Sequence, residues 1–417
     1  MKKQLFLFSL LFVFCLAGCQ VEEKKETVSS DQFMRIQGPD LITPDGAKFF
    51  IKGTNLGNWI NPEGYMFGFR KTNSARFIDE MFCQLVGPDF TAEFWKAFKD
   101  NYITYKDVRF IKSTGSNTIR LPFHYKLFTD EDYMGLTVAQ DGFARIDSVV
   151  NWCRQEGLYL ILDMHDAPGG QTGDNIDDSY GYPWLFESEV SQKLYCDIWR
   201  KIADYYKNEP VILGYELFNE PIAPYFENVE ELNNKLEEVY KMGVAAIREV
   251  DQNHIILLGG SQWNSNFKPL NDSTFDDKIM YTCHRYGGEP TPDAIRSYIE
   301  FRDRVNLPMY MGEIGHNTNE WMAAFCKTME DNNIGWTFWP YKKINGSCFV
   351  SIVPPEGWDT IINFSEASRA TYQEIREARP NQEEARKIML KMLEQCKFEN
   401  NKIEKDYISA LGLNPGA

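Results

Sequence analysis

Val211-Ile212-Leu213-Gly214-Tyr215-Glu216-Leu217-Phe218-Asn219-Glu220-Pro221 follows a proline and closes on an amide, a carboxylate and a second proline. Its first eight residues are mostly aliphatic or aromatic, which predicts a buried strand over 211–218. Glu216 falls inside that strand and reads as structural. Asn219 and Glu220 stand at its carboxyl end, where Pro221 bars further pairing and fixes the turn. Pro308-Met309-Tyr310-Met311-Gly312-Glu313 repeats the arrangement, a short apolar run that delivers a carboxylate at its end. Two carboxylates so placed meet the chemical requirement for breaking a bond between sugars.

Around this pair the chain reads as eight strands, at 49–54, 117–122, 158–164, 212–218, 255–259, 279–284, 308–313 and 335–339. Amphipathic segments of helix length separate them, at 90–113, 141–156, 189–208, 228–250, 291–305 and 318–332. Buried strands with helical crossovers are parallel, and eight such units predict a (β/α)8 TIM barrel of class α/β. An open doubly wound sheet is the alternative, but no glycine-rich phosphate fingerprint follows the first strand. Residues 33–45 read as a strand entering the turn Pro44-Asp45-Gly46, an N-terminal hairpin that would plug the barrel floor. In such barrels the carboxyl ends of the strands carry the chemistry. Those ends here hold Asn55, Asn58 and Trp59, then Arg120 and His124, then Asp163 and His165, then Asn219 and Glu220. His284, Tyr286, Glu313 and Trp339 follow. Residues 60–89 and 166–187 are long βα insertions of the kind that shape a cleft, the second carrying Trp184 and Phe186. Residues 383–397 predict an amphipathic helix with Ile388, Leu390, Met392 and Leu393 apolar, a helical extension on the outside. The expected organisation is a leader at 1–18, a polar tether at 19–32, a catalytic barrel at 33–375 and a C-terminal extension at 376–417.

A chain of 417 residues, 43% hydrophobic, is long enough for one large barrel. A net charge of −16 argues against nucleic acid and anionic membrane surfaces as partners. Aromatics at 14% suit sugar stacking, although most of the rings are expected in the core. Lys2 and Lys3 precede an apolar run at 5–14 too short to span a bilayer. Leu16-Ala17-Gly18-Cys19 resembles the bacterial lipoprotein cleavage box, which implies lipidation of Cys19 and a lipid anchor in the cell envelope. The acidic stretch at 20–26 resembles signals that send some lipoproteins to the outer-membrane surface, and an ordinary secretory leader is the alternative. Cysteines 83, 153, 196, 283, 326, 348 and 396 form no CxxC pair, so neither a zinc site nor a disulfide framework is indicated. No metal or other cofactor is expected.

The chemistry assigns Glu220 as acid/base and Glu313 as nucleophile. His284 and Tyr286 are expected to orient Glu313 by hydrogen bonds, and Arg120 to do so by charge. Asn219 is placed for a sugar 2-hydroxyl, His165 for another hydroxyl of the same ring, and Trp339 for its stacking floor. Asn58, Trp59 and His124 are further candidates for substrate contact, and Trp184 and Trp263 are further stacking candidates. Asn219-Glu220-Pro221 with Glu313 on a later strand resembles glycoside hydrolase family 5, the cellulase family of clan A. Its ordered set is matched by Arg120, His165, Asn219, Glu220, His284, Tyr286, Glu313 and Trp339, over residues 45–370. That resemblance implies a (β/α)8 barrel, retention of configuration and no metal. Residues 53–59 and 163–171 are similar to the exo-β-1,3-glucanase branch, where Asp166 is normally glycine, and that departure leaves the linkage open. The expected partner is a β-linked oligo- or polysaccharide. Two other readings stand beside this one: a metal-dependent barrel hydrolase built on His165 and His284, and a catalytically inactive surface glycan-binding lipoprotein.

Overall fold

The computed structural model describes residues 28–135, 141–272 and 274–416. The leader, Cys19 and the tether up to residue 27 lie outside the described residues. Eight parallel strands close into a barrel: β1 (Lys52–Asn55), β2 (Thr118–His124), β3 (Tyr159–Asp166), β4 (Ile212–Glu216), β5 (Ile255–Gly259), β6 (Ile279–His284), β7 (Met309–Ile314) and β8 (Gly335–Phe338). Each pairs with its neighbour in sequence, and β8 closes on β1. Helices flank the strands, as the expected (β/α)8 fold requires.

The helices earn their places by one-sided burial. Glu189–Tyr206 is capped by the Ser188 side chain and buries Tyr195, Ile198, Trp199 and Ile202. Val229–Arg248 buries Leu232, Leu236, Val239, Tyr240 and Val244 at the same three-to-four spacing. Strand ends differ from expectation where they serve the barrel mouth. β4 stops at Glu216, short of the expected 218. Leu217 still bonds Leu257, but the Asn219 amide then turns to the Met164 carbonyl across the strand gap, 3.2 Å away. β2 and β3 run on to His124 and Asp166.

Inside the barrel, Ile161, Leu213, Ile255, Leu257, Met280 and Tyr310 form a separate apolar cluster. The N-terminal residues Met34, Leu41 and Ile51 close it from below, so the expected floor plug is present. The expected strand over 33–45 is broken, because Gly38 adopts a left-handed turn at φ 57°. Arg35–Gln37 and Asp40–Ile42 pair antiparallel instead, and Lys48–Phe49 adds a third strand. Outside the barrel, Gln382–Gln395 packs against Ala75–Val86 and Pro88–Tyr102. Its Ile388, Met392 and Leu393 are buried, but Leu390, expected on the same face, is 52% exposed. Two residues past Ile388 it lies on the opposite side of the helix. Lys402–Ile403 then pairs antiparallel with Val350–Ile352. No helix among the described residues is long and apolar enough to cross a membrane.

The plug makes a stability test. Leu41 is 4% exposed, so Leu41→Ala removes packing on the barrel floor. The expected cost is about 3 kcal/mol, read from urea unfolding, with turnover of the folded fraction unchanged because the change lies at the opposite end from the strand-end carboxylates.

Candidate active site

Arg120 on β2 is fully buried and touches five side chains at the barrel mouth. Its Nε donates to Glu216 Oε2 (2.9 Å) and its Nη2 to Glu216 Oε1 (2.7 Å), a two-point grip that fixes the guanidinium plane. Nη1 donates to Glu313 Oε1 (2.7 Å) and to Asn55 Oδ1 (3.1 Å). Nη2 also reaches Asn219 Oδ1 (2.8 Å) and lies 3.0 Å from Asp163 Oδ2. Burial works against its charge, yet Asp163, Glu216 and Glu313 hold it more basic than an ordinary arginine. Glu216 is therefore structural as expected, and it also accepts the Tyr310 hydroxyl at 2.8 Å. Arg120, expected to orient Glu313 by charge, sits behind Glu313 and does not line the cavity.

Glu313, on β7, receives Arg120 on Oε1 and the Tyr286 hydroxyl on Oε2. Both oxygens meet a hydrogen-bond donor. Gly312 before it is required by space: a Cβ there would come within 2.4 Å of Thr282 Oγ1 and 2.9 Å of His284 Nε2. His284 was expected to serve Glu313. Its Nδ1 instead lies 2.7 Å from Glu220 Oε1 and 3.6 Å from Glu313 Oε2, so Glu220 is its nearer partner. Burial raises the Glu220 carboxyl to about 7, with His165 and Arg120 opposing. Burial lowers His284 to about 4, so it is neutral near pH 7.

Glu220 holds a left-handed backbone, φ 43°, rare for a residue with a side chain. The loop after β3 secures it. Gln171 donates to the carbonyls of His165 and Asn219, both at 2.8 Å, and Thr172 Oγ1 donates to the Glu220 carbonyl at 2.8 Å. Backbone bonds from Ile222 to Gln171 and from Ala223 to Thr172 complete the clamp.

A cavity of about 390 Å³ opens between these groups, lined by His165, Asn219, Glu220, Tyr286, Glu313 and Trp339, with Glu63, Tyr65, Ile176 and His316. The Trp339 and His165 rings lie parallel, 5.2 Å apart. His165 Nδ1 is 2.7 Å from Asp163, and its Nε2 is 3.2 Å from Asn219 Nδ2. Trp339 donates to the Tyr65 hydroxyl at 2.7 Å, and that hydroxyl is 3.3 Å from His316 Nε2. The sequence reading missed Glu63 and Tyr65, which come from the long insertion after β1. Its length was the available signal. The Glu63 carboxyl is pushed well above the usual range by burial and then by Glu313 and Glu220.

Three expected substrate contacts lie elsewhere. Trp59 is 1% exposed in the outer core and donates its indole N–H to the Lys99 carbonyl at 2.8 Å. Asn58 is buried, donates to Tyr102 and accepts the Glu63 backbone amide, so it braces the loop that carries Glu63. His124 is packed against Tyr125 and Tyr133 and accepts the Lys126 amide. Trp184 and Trp263 are exposed and do not line the cavity.

Glu220, His284 and Glu313 bring ligand atoms within 4.8 Å of one another, a spacing that also suits a metal ion. The fixed positive charge of Arg120, 2.7 Å from Glu313, already occupies the electrostatic place of a cation. One neutral imidazole between two carboxyls is arranged for proton transfer and nucleophilic attack.

Residues 83–345 match the family model for cellulase, glycosyl hydrolase family 5. The chain belongs to glycosyl hydrolase family 5. It is 27% identical to a β-xylosidase of Phanerodontia chrysosporium, over 75% of this chain and 71% of that one. It is 28% identical to endoglucanase C of Acetivibrio thermocellus, over 60% of this chain and 88% of that one. The structure of a rutinosidase from Aspergillus niger superposes with a TM-score of 0.55 at 16% identity, covering 72% of this chain and 92% of that one, a shared fold. Membership of family 5 makes the chain a β-glycoside hydrolase.

Arg120→Lys keeps the charge but loses the planar fork. Asn219, Glu216 and Glu313 can then no longer be held together, and kcat/KM is expected to fall about 100-fold, measured by steady-state kinetics on any substrate the wild type cleaves. A loss below threefold would show that the fork is dispensable.

Proposed function

We propose that the protein is a retaining β-glycosidase acting on a β-glucan or related polysaccharide or oligosaccharide. The observation that carries this reading is the proximity of Glu220 and Glu313, whose carboxylate oxygens approach within 4.8 Å at the cavity floor. Retaining enzymes hold their carboxyls about 5–5.5 Å apart, and inverting ones about 6.5–9.5 Å apart to admit a water. Glu220, with its affinity for a proton raised to about 7, gives that proton to the leaving oxygen. Glu313 attacks the sugar carbon, and the C–O bond to the leaving group breaks as the new one forms. Glu220 then takes a proton from water, which displaces Glu313. Asn219 meets the ring's 2-hydroxyl, while His165 and Trp339 hold the same ring. The names of the β-xylosidase and endoglucanase relatives agree with a β-linked substrate. Trp263 and Tyr225, an exposed edge-to-face pair on the loops after β5 and β4, offer faces for further sugar units.

The acid role fixes the sign of the pH dependence. A proton donor works while protonated, so kcat/KM on an unactivated β-linked oligosaccharide falls as pH rises through about 7. Glu220→Gln lowers that rate by about 10²- to 10⁴-fold and removes the alkaline limb. It spares the first step for an aryl glycoside whose leaving group needs no proton. Glu313→Gln abolishes turnover of both substrates while binding is kept. A wild type that binds glucan yet cleaves no β-linked oligosaccharide would favour the glycan-binding reading.

We also propose a lipid anchor at Cys19 in the bacterial envelope, on the strength of Leu16-Ala17-Gly18-Cys19. Cys19→Ala is expected to move the protein from the membrane fraction to the soluble one. A wild type already soluble would contradict the anchor.

A further inference from the structure

Gln262, Trp263 and Asn264, just after β5, are three successive residues with left-handed backbone, at φ 48°, 59° and 57°. None is glycine, and each pays a steric penalty that persists only where surrounding structure imposes it. The imposing contacts are specific. The Ser261 amide bonds the Asn266 carbonyl at 2.8 Å, the Gln262 amide bonds the Ile222 carbonyl at 3.0 Å, and Gln262 Nε2 bonds Asn233 Oδ1 at 3.0 Å. Gly259 leaves the space that the Asn264 side chain fills, since a Cβ there would fall 1.9 Å from Asn264 Oδ1. The Asn264 carboxamide is fully buried, and its oxygen has no hydrogen-bond partner. Among the described residues its one side-chain polar contact is between Nδ2 and His284 Nε2, at 3.1 Å. Backbone strain and an unsatisfied oxygen are thus both tolerated to place one N–H on the far nitrogen of the imidazole that faces Glu220.

We infer that Asn264 is a positioning residue for Glu220, acting through His284: its amide N–H occupies Nε2 and so keeps the single proton of the neutral imidazole on Nδ1. Nδ1–H then points at Glu220 Oε1, 2.7 Å away, and stabilises the carboxylate left after the proton has gone to the leaving group. With the opposite tautomer, Nδ1 would present a lone pair. It would accept from protonated Glu220 and make the acid harder to ionise. The choice of tautomer adds and removes no proton; what Asn264 decides is which ring nitrogen holds the one that is there. The other charged or titratable groups facing the pair are Glu313, Arg120, Glu216, Tyr286, Glu63 and the His165–Asp163 couple, all untouched by a change at Asn264.

This inference rests on the acid/base assignment of Glu220, and its test has a readout that needs no turnover. The ¹⁵N shifts of the imidazoles, with His284 assigned by loss of its signals in His284→Ala, report which nitrogen carries the proton. The variants are Asn264→Gly, which relieves the backbone strain and removes the amide, and Asn264→Asp, which keeps the shape but replaces the donor by an acceptor. Thermal melts confirm that both are folded. The wild type is expected to show Nδ1 protonated and Nε2 bare at pH 7, and the Asp variant a protonated Nε2. The Gly variant is expected to raise the alkaline limb of kcat/KM by about one pH unit. A wild-type His284 with its proton on Nε2 would overturn the inference. So would an unchanged tautomer in Asn264→Asp together with an unmoved alkaline limb in Asn264→Gly. Failure of the glycosidase reading would show separately, as absent turnover in a wild type whose tautomer is as stated.

Discussion

One buried guanidinium organises the mouth of this barrel. Arg120 has no solvent contact, and burying an unpaired charge is prohibitively costly, so its neighbours must neutralise it. Glu216 does so from β4 with two hydrogen bonds, which also fix the plane of the fork. The remaining donors then have set directions, one to Glu313 on β7 and one to Asn219 at the end of β4. Residues far apart in sequence are thereby registered against one another by a single side chain. Asp163 on β3 adds a further carboxylate to the network and passes the alignment on to His165.

The two glutamates differ in environment rather than in kind. Glu313 faces a cation and a tyrosine hydroxyl, one donor on each oxygen. Glu220 has His284 against its carboxyl, and burial raises its affinity for a proton. In the proposed mechanism these opposite surroundings give two like residues opposite roles. The left-handed backbone at Glu220 belongs to the same design. The chain leaves β4 early and aims that side chain inward, and Gln171 and Thr172 hold it there. Strain collects at the strand ends that line the cavity, while the opposite end of the barrel is closed by an apolar cluster.

Much of this was legible in the sequence, and what was not has physical reasons. The period of buried strands and amphipathic segments gave the barrel, since alternation of that kind admits few other topologies. The carboxylates, Asn219, His165, Tyr286 and Trp339 were readable because they stand at strand ends, where the fold itself says which way a side chain faces. Glu63 and Tyr65 were not, because they arrive from a 30-residue insertion whose path depends on packing between helices. Trp59 and Asn58 misled for the same reason. They lie just past a strand end, but the chain has already turned outward there, and the indole joins an aromatic cluster outside the barrel. His284 was placed correctly and paired with the wrong carboxylate, a matter of about 1 Å that spacing along a chain does not encode.

The account depends on Glu313 forming a bond to sugar and on water later entering from the same face. The most direct measurement is the anomeric configuration of the first-formed product, followed by proton NMR during hydrolysis of a β-linked oligosaccharide. The β anomer is expected to appear first and to convert slowly to the α form by mutarotation. Initial release of the α anomer would mean direct attack by water, and would contradict the roles assigned to both glutamates.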